Sequence, residues 1–171
     1  MVQHWWGGNM RTLRTLPIAL FFLVSVACLV ACKSAPPKPP IVKLSITAAA
    51  DVNPDAQNRA SPVVVRVYQL KDDAAFKDAD FFALYDKEQA TLAAALGSRQ
   101  EFELAPGEHR LIDFEVALDT RFIGVAAAYR DLRNAEWRAQ TGSTDKPLAG
   151  VMKKHQINIA VGRARVSVAA E

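Results

Sequence analysis

The segment Ser61-Pro62-Val63-Val64-Val65-Arg66-Val67-Tyr68-Gln69-Leu70 decides the fold class of this chain. Its β-branched residues Val63, Val65 and Val67 recur with a period of two, as they do along a strand whose successive side chains point to opposite faces of a sheet. The positions between them are occupied by Val64, Arg66 and Tyr68. The segment is therefore predicted to be a half-buried strand.

Similar patterns recur before and after this segment. Val42, Leu44 and Ile46 alternate with polar residues upstream, and residues 122–129 are nearly continuously apolar, as in a central strand that is covered on both faces. The remaining predicted strands are 101–104, 112–116, 136–141, 155–161 and 164–169. Eight strands separated by turns predict a mainly β, two-sheet β-sandwich.

A short helical insertion is predicted at about residues 72–97. Asp86-Lys87-Glu88-Gln89 places an Asp N-cap three residues before a Gln, good helix formers continue from Thr91 to Leu96, and the helix is expected to stop at Gly97. The apolar residues of this stretch are expected to pack against the sheet. Its acids are expected to form a solvated face, and they are Asp72, Asp73, Asp78, Asp80, Asp86 and Glu88.

The N-terminal residues have the order of a bacterial lipoprotein signal. Arg11 and Arg14 precede sixteen uncharged residues, 16–31, which end in Leu29-Val30-Ala31-Cys32. An aliphatic residue three places before a cysteine, with small or aliphatic residues between, is typical of the site where the thiol receives diacylglycerol. Residues 1–31 are therefore predicted to be a signal peptide and Cys32 the acylated residue.

Alternatives to this signal remain open. Cys28 is a second candidate for acylation, although Ser25 stands where the aliphatic residue is expected. An uncleaved membrane helix is disfavoured because the apolar run is shorter than the roughly 20 residues that cross a bilayer. Met10 begins a more ordinary leader than Met1 does, so both are candidate start residues.

Residues 32–40 are predicted to form a tether between the lipid and a single domain, 41–171. Four prolines exclude helix and sheet and favour an extended chain, and they are Pro36, Pro37, Pro39 and Pro40. Lys33 directly follows the cysteine, a position where Asp retains many bacterial lipoproteins in the inner membrane. Lysine there is permissive for transfer to the outer membrane.

Charge and composition exclude several functions. The net charge of +3 falls to +1 without Arg11 and Arg14, so no nucleic-acid partner is expected. His109 and His155 lie far apart in sequence and open strands, no metal-ligand spacing or nucleophile motif is found, and no cofactor or small-molecule substrate is expected. The chain is predicted not to be an enzyme. Arg130, Arg133 and Arg138 surround Trp137, either as a basic binding surface or as ordinary exposed strand positions.

The connection between the first two predicted strands, residues 49–61, is long for a compact sandwich. Loops of this length are usually functional or mobile. A β domain that is tethered to a membrane and lacks a catalytic constellation acts by presenting a loop or a sheet edge to a partner.

Five features together resemble one known family. They are the lipobox at Cys32, the strand and loop from Lys43 to Asp55, the segment Ser61–Leu70, the Phe-rich insertion Phe76–Tyr85, and the turn Leu104-Ala105-Pro106-Gly107. The chain resembles the outer-membrane lipoproteins of type VI secretion systems, the TssJ family, from Cys32 to Ala169.

This resemblance implies a transthyretin-like sandwich of two four-stranded sheets on the periplasmic face of the outer membrane. It implies covalent diacylglycerol and an N-acyl chain on Cys32. It also implies binding to the periplasmic C-terminal region of a TssM-like inner-membrane component through the first loop, here Asp51, Val52, Asn53, Pro54, Asp55, Ala56, Gln57 and Asn58. The polar content of this loop predicts a polar interface, with Val52, Pro54 and Ala56 as the apolar contributors.

A second hypothesis belongs to another class of function. A small ligand or a polysaccharide would bind between helix and sheet through Phe81, Phe82, Tyr85 and Trp137. Stacking aromatic side chains would then line a pocket rather than fill a core.

Overall fold

A computed structural model describes residues 37–152 and 154–171. The predictions for the signal peptide, for Cys28 and Cys32, and for the start at Met1 or Met10 lie outside the described residues. Residues 37–40 have no regular secondary structure and lead into the first strand.

Within the described residues, eight strands form two four-stranded sheets. The strands are β1 Ile41–Ala48, β2 Val63–Leu70, β3 Leu96–Leu104, β4 His109–Glu115, β5 Phe122–Ala127, β6 Arg138–Gly142, β7 Gln156–Val161 and β8 Val166–Ala170. The helices are α1 Ala74–Asp78, α2 Phe81–Asp86 and α3 Glu88–Leu92, with 3-10 turns at Ala93–Ala95 and Leu148–Gly150. The predicted mainly β sandwich is confirmed.

The two sheets have the strand orders β4-β1-β7-β8 and β3-β2-β5-β6, here called sheet I and sheet II. β1 and β7 are parallel, whereas the other neighbouring strands are antiparallel. The inner faces of the sheets supply a core of mainly aliphatic side chains, among them Leu44, Ile46, Val65, Val125 and Ile157. All six residues of β5 are buried, as the continuous apolar run predicts.

The second half of β2 differs from the predicted alternation. Tyr68 and Leu70 are buried because the helices cover the outer face of sheet II. Gln69, on the other face, is also buried, and its side chain hydrogen-bonds Glu115 O and the Thr120 hydroxyl. Tyr68 lies against Phe76 of α1, with ring centroids 5.6 Å apart. The strand predicted to be half-buried is therefore buried on both faces at its C-terminal end.

The helical insertion packs on the sheet as predicted, but its internal boundaries differ. Asp80, rather than Asp86, is a helix N-cap, and its carboxylate accepts a hydrogen bond of 2.9 Å from the Ala83 N–H. Asp86 is the last residue of α2, and α3 ends at Leu92. Gly97 lies in β3, because Leu96 already pairs with Leu70 of β2. Helices this short depend on packing rather than on their own hydrogen bonds.

Two of the acids predicted to be solvated are instead held against the protein. Asp73 is buried, and its carboxylate accepts hydrogen bonds from Lys77 Nζ at 2.8 Å and Gln140 Nε2 at 2.6 Å. Glu88 is half-buried, with Arg99 Nε at 2.9 Å from its carboxylate. Both acids thus fasten the helices to sheet II.

Candidate partner-binding end

Three connections meet at one end of the sandwich. β1 and the parallel β7 both finish there, and the antiparallel β5 does too. The connections are the β1–β2 loop, residues 49–62, the β5–β6 connection, residues 128–137, and the β7–β8 turn, residues 162–165. The sequence-predicted loop is one of the three, and the fold brings the other two beside it.

The base of the β1–β2 loop is part of the domain itself. Val52 is fully buried in the core, and Asn53 is 4% exposed. The Asn53 side chain donates to Pro62 O at 2.7 Å and accepts from the Arg130 N–H at 2.8 Å. Its positive φ of 49° is a conformation that Asn adopts more readily than most residues. Asn53 therefore joins the loop to the β5–β6 connection.

The tip of the loop is closed by one carboxylate. Asp55 Oδ1 accepts hydrogen bonds of 2.9 Å from the backbone N–H groups of Gln57 and Arg59, and Arg59 Nε lies 2.8 Å from Asp55 Oδ2. The Arg59 N–H, as the main cause, holds the pKa of the Asp55 carboxyl below its ordinary value. Such turns, in which an Asp accepts from the backbone that follows it, fix a loop without regular secondary structure.

Side chains of the β7–β8 turn complete this end. Arg163 donates to Asn58 Oδ1 at 2.7 Å, and its guanidinium lies 3.7 Å from the Asp51 carboxylate. The Tyr129 hydroxyl donates to Gly162 O at 3.0 Å, and burial raises the pKa of this phenol. Arg163 thereby holds the loop tip, and Tyr129 joins the β5–β6 connection to the β7–β8 turn.

A groove of about 610 Å³ lies among the three connections. Its polar lining comes from all of them, with Asn53, Asp55 and Asn58 on the first loop, Arg130 and Asn134 on the second, and Arg163 on the third. Both charge signs are present beside the apolar Pro54, Ala56, Ala135 and Ala164, so the groove offers a partner charged contacts together with small apolar ones.

The structure places the eight predicted loop residues in two groups. Asp51, Ala56, Gln57 and Asn58 are exposed and Pro54 and Asp55 half-buried, whereas Val52 and Asn53 are buried. The Val52 side chain, expected to be an apolar contact, is thus inaccessible to a partner because it fills the core. Asn134 and Arg163 carry no signal in the sequence, because only the folded topology brings them to the loop.

The basic residues around Trp137 do not form a single patch. Arg130 lines the groove, whereas Arg138 stands over the Trp137 ring at 4.9 Å and donates to the carbonyls of Phe76 and Ala79. Arg138 therefore binds the helices to β6. Its role is thus structural, and it does not belong to a basic binding surface around Trp137.

The aromatic residues of the second hypothesis pack on one another. The Phe81 ring stacks on Tyr85 at 5.1 Å and meets Trp137 edge-on at 5.2 Å. Phe82 lies edge-on to Phe81 and is 64% exposed. These side chains cover the seam between α2 and sheet II, and ligand binding there stays a prediction.

Other chemistry was sought in the described part of the chain. Residues 37–152 and 154–171 contain no group of three His, Cys, Asp or Glu side chains placed to hold a metal ion. Over the same residues, every helix is too short or too polar to cross a bilayer. His109 opens β4, with Nε2 3.1 Å from Ser45 Oγ, and His155 precedes β7.

Comparison with known proteins identifies the family. Residues 40–164 match the model of the family described as Type VI secretion lipoprotein, VasD, EvfM, TssJ. The chain belongs to this family of type VI secretion lipoproteins. A search of curated protein sequences finds no significant match.

Solved structures from this secretion system share the fold. The T6SS lipoprotein TssJ1 from Pseudomonas aeruginosa is 36% identical, with a TM-score of 0.68 over 78% of this chain and 97% of that one. Serratia marcescens Lip, a membrane-bound component of the type VI secretion system, is 30% identical, with a TM-score of 0.66 over 78% and 98%. A chain in the structure of the T6SS protein TssM C-terminal domain (869–1107) from EAEC is 26% identical, with a TM-score of 0.58 over 77% and 98%.

Membership in the family sets the general function. The chain is a type VI secretion lipoprotein, associated with a membrane, and its family is not known for enzymatic activity. The groove at the loop end is therefore interpreted below as a surface for protein recognition.

Proposed function

We propose that this lipoprotein is anchored to the outer membrane by acylated Cys32 and acts as a structural adaptor of the type VI secretion membrane complex. Its domain faces the periplasm and binds the periplasmic C-terminal region of a TssM-like inner-membrane component through residues 51–58. Two acyl chains on the glycerol and one on the amine hold the anchor firmly, whereas a single chain binds a bilayer only weakly.

The observation that carries this proposal is a preformed, exposed loop tip. Ala56, Gln57 and Asn58 are exposed, yet the backbone around them is fixed by the Asp55 carboxylate and by Arg163. A loop that is already ordered loses little conformational entropy on binding, which leaves more of the contact energy for affinity. The 26% identical chain in the TssM C-terminal domain structure supports the choice of partner.

Direct contact of the loop is tested by adding the same bulky cation at two exposed alanines. Ala56→Arg lies on the loop tip, and Ala169→Arg lies in β8 away from it. The affinity for a purified TssM-like C-terminal region is measured by calorimetry. We expect Ala56→Arg to weaken binding at least about tenfold, or about 1.4 kcal/mol, and Ala169→Arg to leave it unchanged.

Replacing residues 54–58 by glycines gives a second variant. It retains Val52 and Asn53, which the domain needs for its core and for the bond to Arg130. We expect a folded protein with no measurable partner binding. Unchanged affinity in both this variant and Ala56→Arg would move the interface to another surface.

The anchor is tested separately. Cys32→Ser should abolish incorporation of a labelled fatty acid and release the protein from membranes, whereas Cys28→Ser should do neither. The reverse result would make Cys28 the acylated residue. Equal labelling of both variants would contradict an anchor at either position.

A further inference from the structure

The opposite end of the sandwich, where the predicted tether joins the domain, has a different chemistry. Pro40 O accepts a hydrogen bond of 3.0 Å from the Val116 N–H, and β1 begins with the next residue. Because β1 runs from Ile41 to Ala48, this junction lies a full strand length from the β1–β2 loop. The two ends of one strand thus serve the anchor and the proposed partner.

Three exposed aliphatic side chains lie at this end of the sandwich. Ile41 is 65% exposed, Leu118 40% and Val151 41%. Together they are called the tether rim. Within the described residues, the only other exposed large hydrophobic side chains are Phe82 on the helices and Leu111 in mid-strand on the outer face of sheet I.

Backbone hydrogen bonds bring the three rim positions to one end. Ile41 pairs with Glu115, three residues before Leu118. The Leu148 N–H donates to Thr120 O at 2.8 Å, and the Val151 N–H donates to Leu148 O at 3.0 Å. These bonds join the start of β1, the β4–β5 connection and the 3-10 turn Leu148–Gly150, and each rim residue lies within three residues of one of them.

Some of the charges near the rim are paired with one another, whereas exposed Glu115 lies directly opposite Ile41. Lys71 Nζ lies 2.9 Å from the Asp119 carboxylate, and Lys154 Nζ lies 2.7 Å from that of Glu171. Pairs of this kind add no strong repulsion towards a lipid surface of either charge. The rim therefore offers a membrane surface exposed apolar area beside both paired charges and the Glu115 carboxylate.

The length of the tether limits what can lie against this end. Lys33 to Pro40 are eight residues, and at about 3.1 Å per residue they reach at most about 25 Å from the acylated cysteine. The anchor therefore holds the rim beside the bilayer at high local concentration, where even a weak contact is occupied much of the time.

We propose that the tether rim rests in the headgroup layer of the leaflet that holds the anchor. Ile41, Leu118 and Val151 enter the interface, and the β1–β2 loop is thereby pointed away from the membrane. This inference rests on the proposed anchor at Cys32. It adds an orientation, since a tether alone leaves the domain free to rotate.

The test uses the acylated full-length protein in vesicles of phosphatidylethanolamine with a minority of phosphatidylglycerol. Single cysteines are introduced as Leu118→Cys, Val151→Cys and the matched control Leu111→Cys, each at an exposed aliphatic position. Each cysteine carries an environment-sensitive fluorophore. Lipids with a nitroxide on the headgroup or upper acyl chain then report contact by quenching.

We expect blue-shifted emission and strong quenching at residues 118 and 151, and neither at residue 111. Quenching at residues 118 and 151 no stronger than at residue 111 would overturn the proposal, whether all three probes are quenched or none is. Circular dichroism confirms that each variant is folded.

Flotation of the unlabelled protein with the vesicles separates the two proposals. If the protein floats but the rim is not quenched, the anchor stands and the rim proposal fails. If acylated protein does not float, the anchor itself fails. A variant with Leu118→Asp and Val151→Asp should float normally and bind the TssM-like region normally. In the same variant, quenching of a probe at Ile41→Cys should fall to the level seen at residue 111.

Discussion

The outer faces of the two sheets have opposite environments. Sheet II carries α1–α3 on its outer face and buries Tyr68, Phe76, Leu84 and Leu92 beneath them. The outer face of sheet I is uncovered by the described residues and presents small or polar side chains, including Ser45, Thr47, Asn158 and Ala160. The sandwich therefore has a third, helical layer over sheet II, whereas sheet I has no further layer among the described residues.

The largest expected effect lies on the covered face. Phe76 is 1% exposed and contacts Tyr68, so Phe76→Ala leaves a cavity between α1 and sheet II. We expect a loss of about 3 to 5 kcal/mol in the free energy of unfolding. Chemical denaturation measures it, with Leu111→Ala on the uncovered face as the control, expected within about 0.5 kcal/mol of the unmodified protein. Similar losses in both variants would remove the distinction between the faces.

This contrast also explains which parts of the fold could be predicted. In β1 the sequence alternation predicts burial correctly: Leu44 and Ile46 are buried, whereas Ser45 and Thr47 lie on the uncovered face of sheet I. In β2 the same alternation places Tyr68 outside, because polarity along a strand cannot show that helices from residues 74–92 will cover it. A tyrosine fits either environment, so its burial depends on tertiary packing.

The candidate site follows the same rule. The length of the β1–β2 loop and its polar residues are local features, and they predict an exposed loop from sequence alone. The partners of the loop, Arg130 at its base and Arg163 at its tip, are brought to it from distant parts of the chain by the order of strands in two sheets. The burial of Val52 has the same origin, since a single apolar residue in a polar loop carries no periodic pattern.

The second prediction concerns the charged contact between α3 and sheet II. Arg66 donates to Glu101 at 2.7 Å and to Tyr85 O at 2.6 Å, and its guanidinium lies over the Tyr85 ring at 3.6 Å. Arg66→Met keeps the aliphatic stem but removes these bonds and leaves half-buried Glu88 with less compensation. We expect a loss of about 1.5 to 3 kcal/mol by chemical denaturation. Arg110→Met is a control, since Arg110 lies in β4 of sheet I, outside the covered face, and contacts half-buried Glu108.

The pH dependence of the free energy of unfolding also distinguishes Arg66→Met from the unmodified protein. The hydrogen bond from Arg66, as the main cause, lowers the pKa of Glu101 below its ordinary value of 4.5. A carboxyl whose pKa is lower in the folded state stabilises the fold above its unfolded pKa, and this contribution is lost as the pH falls through the folded value. We therefore expect the unmodified protein to lose more stability than Arg66→Met between neutral and acidic pH. Parallel pH profiles of the two proteins would contradict this role of Arg66.

The third prediction adds volume to the covered face. A Cβ at Gly124 would lie 2.9 Å from Phe76 Cζ and 3.0 Å from Leu70 Cδ1, so the packed side chains of Phe76 and Leu70 must move aside. We expect Gly124→Ala to destabilise the protein by about 1 kcal/mol, at the low end for overpacking because only one methyl is added. Gly150→Ala is the matched control, since a Cβ there meets nothing within 4 Å and its effect should be neutral or slightly stabilising. Equal stability of the two variants would show that the helices move away from sheet II freely.

The smallest expected effect tests the uncovered face itself. Leu111 is 58% exposed in the edge strand β4, opposite Ser45 of β1. Leu111→Thr removes exposed apolar area and introduces a β-branched side chain that suits a strand, so the free energy of unfolding should change by less than about 0.5 kcal/mol. The measurement is the denaturation midpoint, together with binding of the TssM-like region and the solubility limit. A loss above 1 kcal/mol, or weaker binding, would mean that another element covers this face in the functional protein, and the contrast between the two sheets would then hold only for the isolated domain.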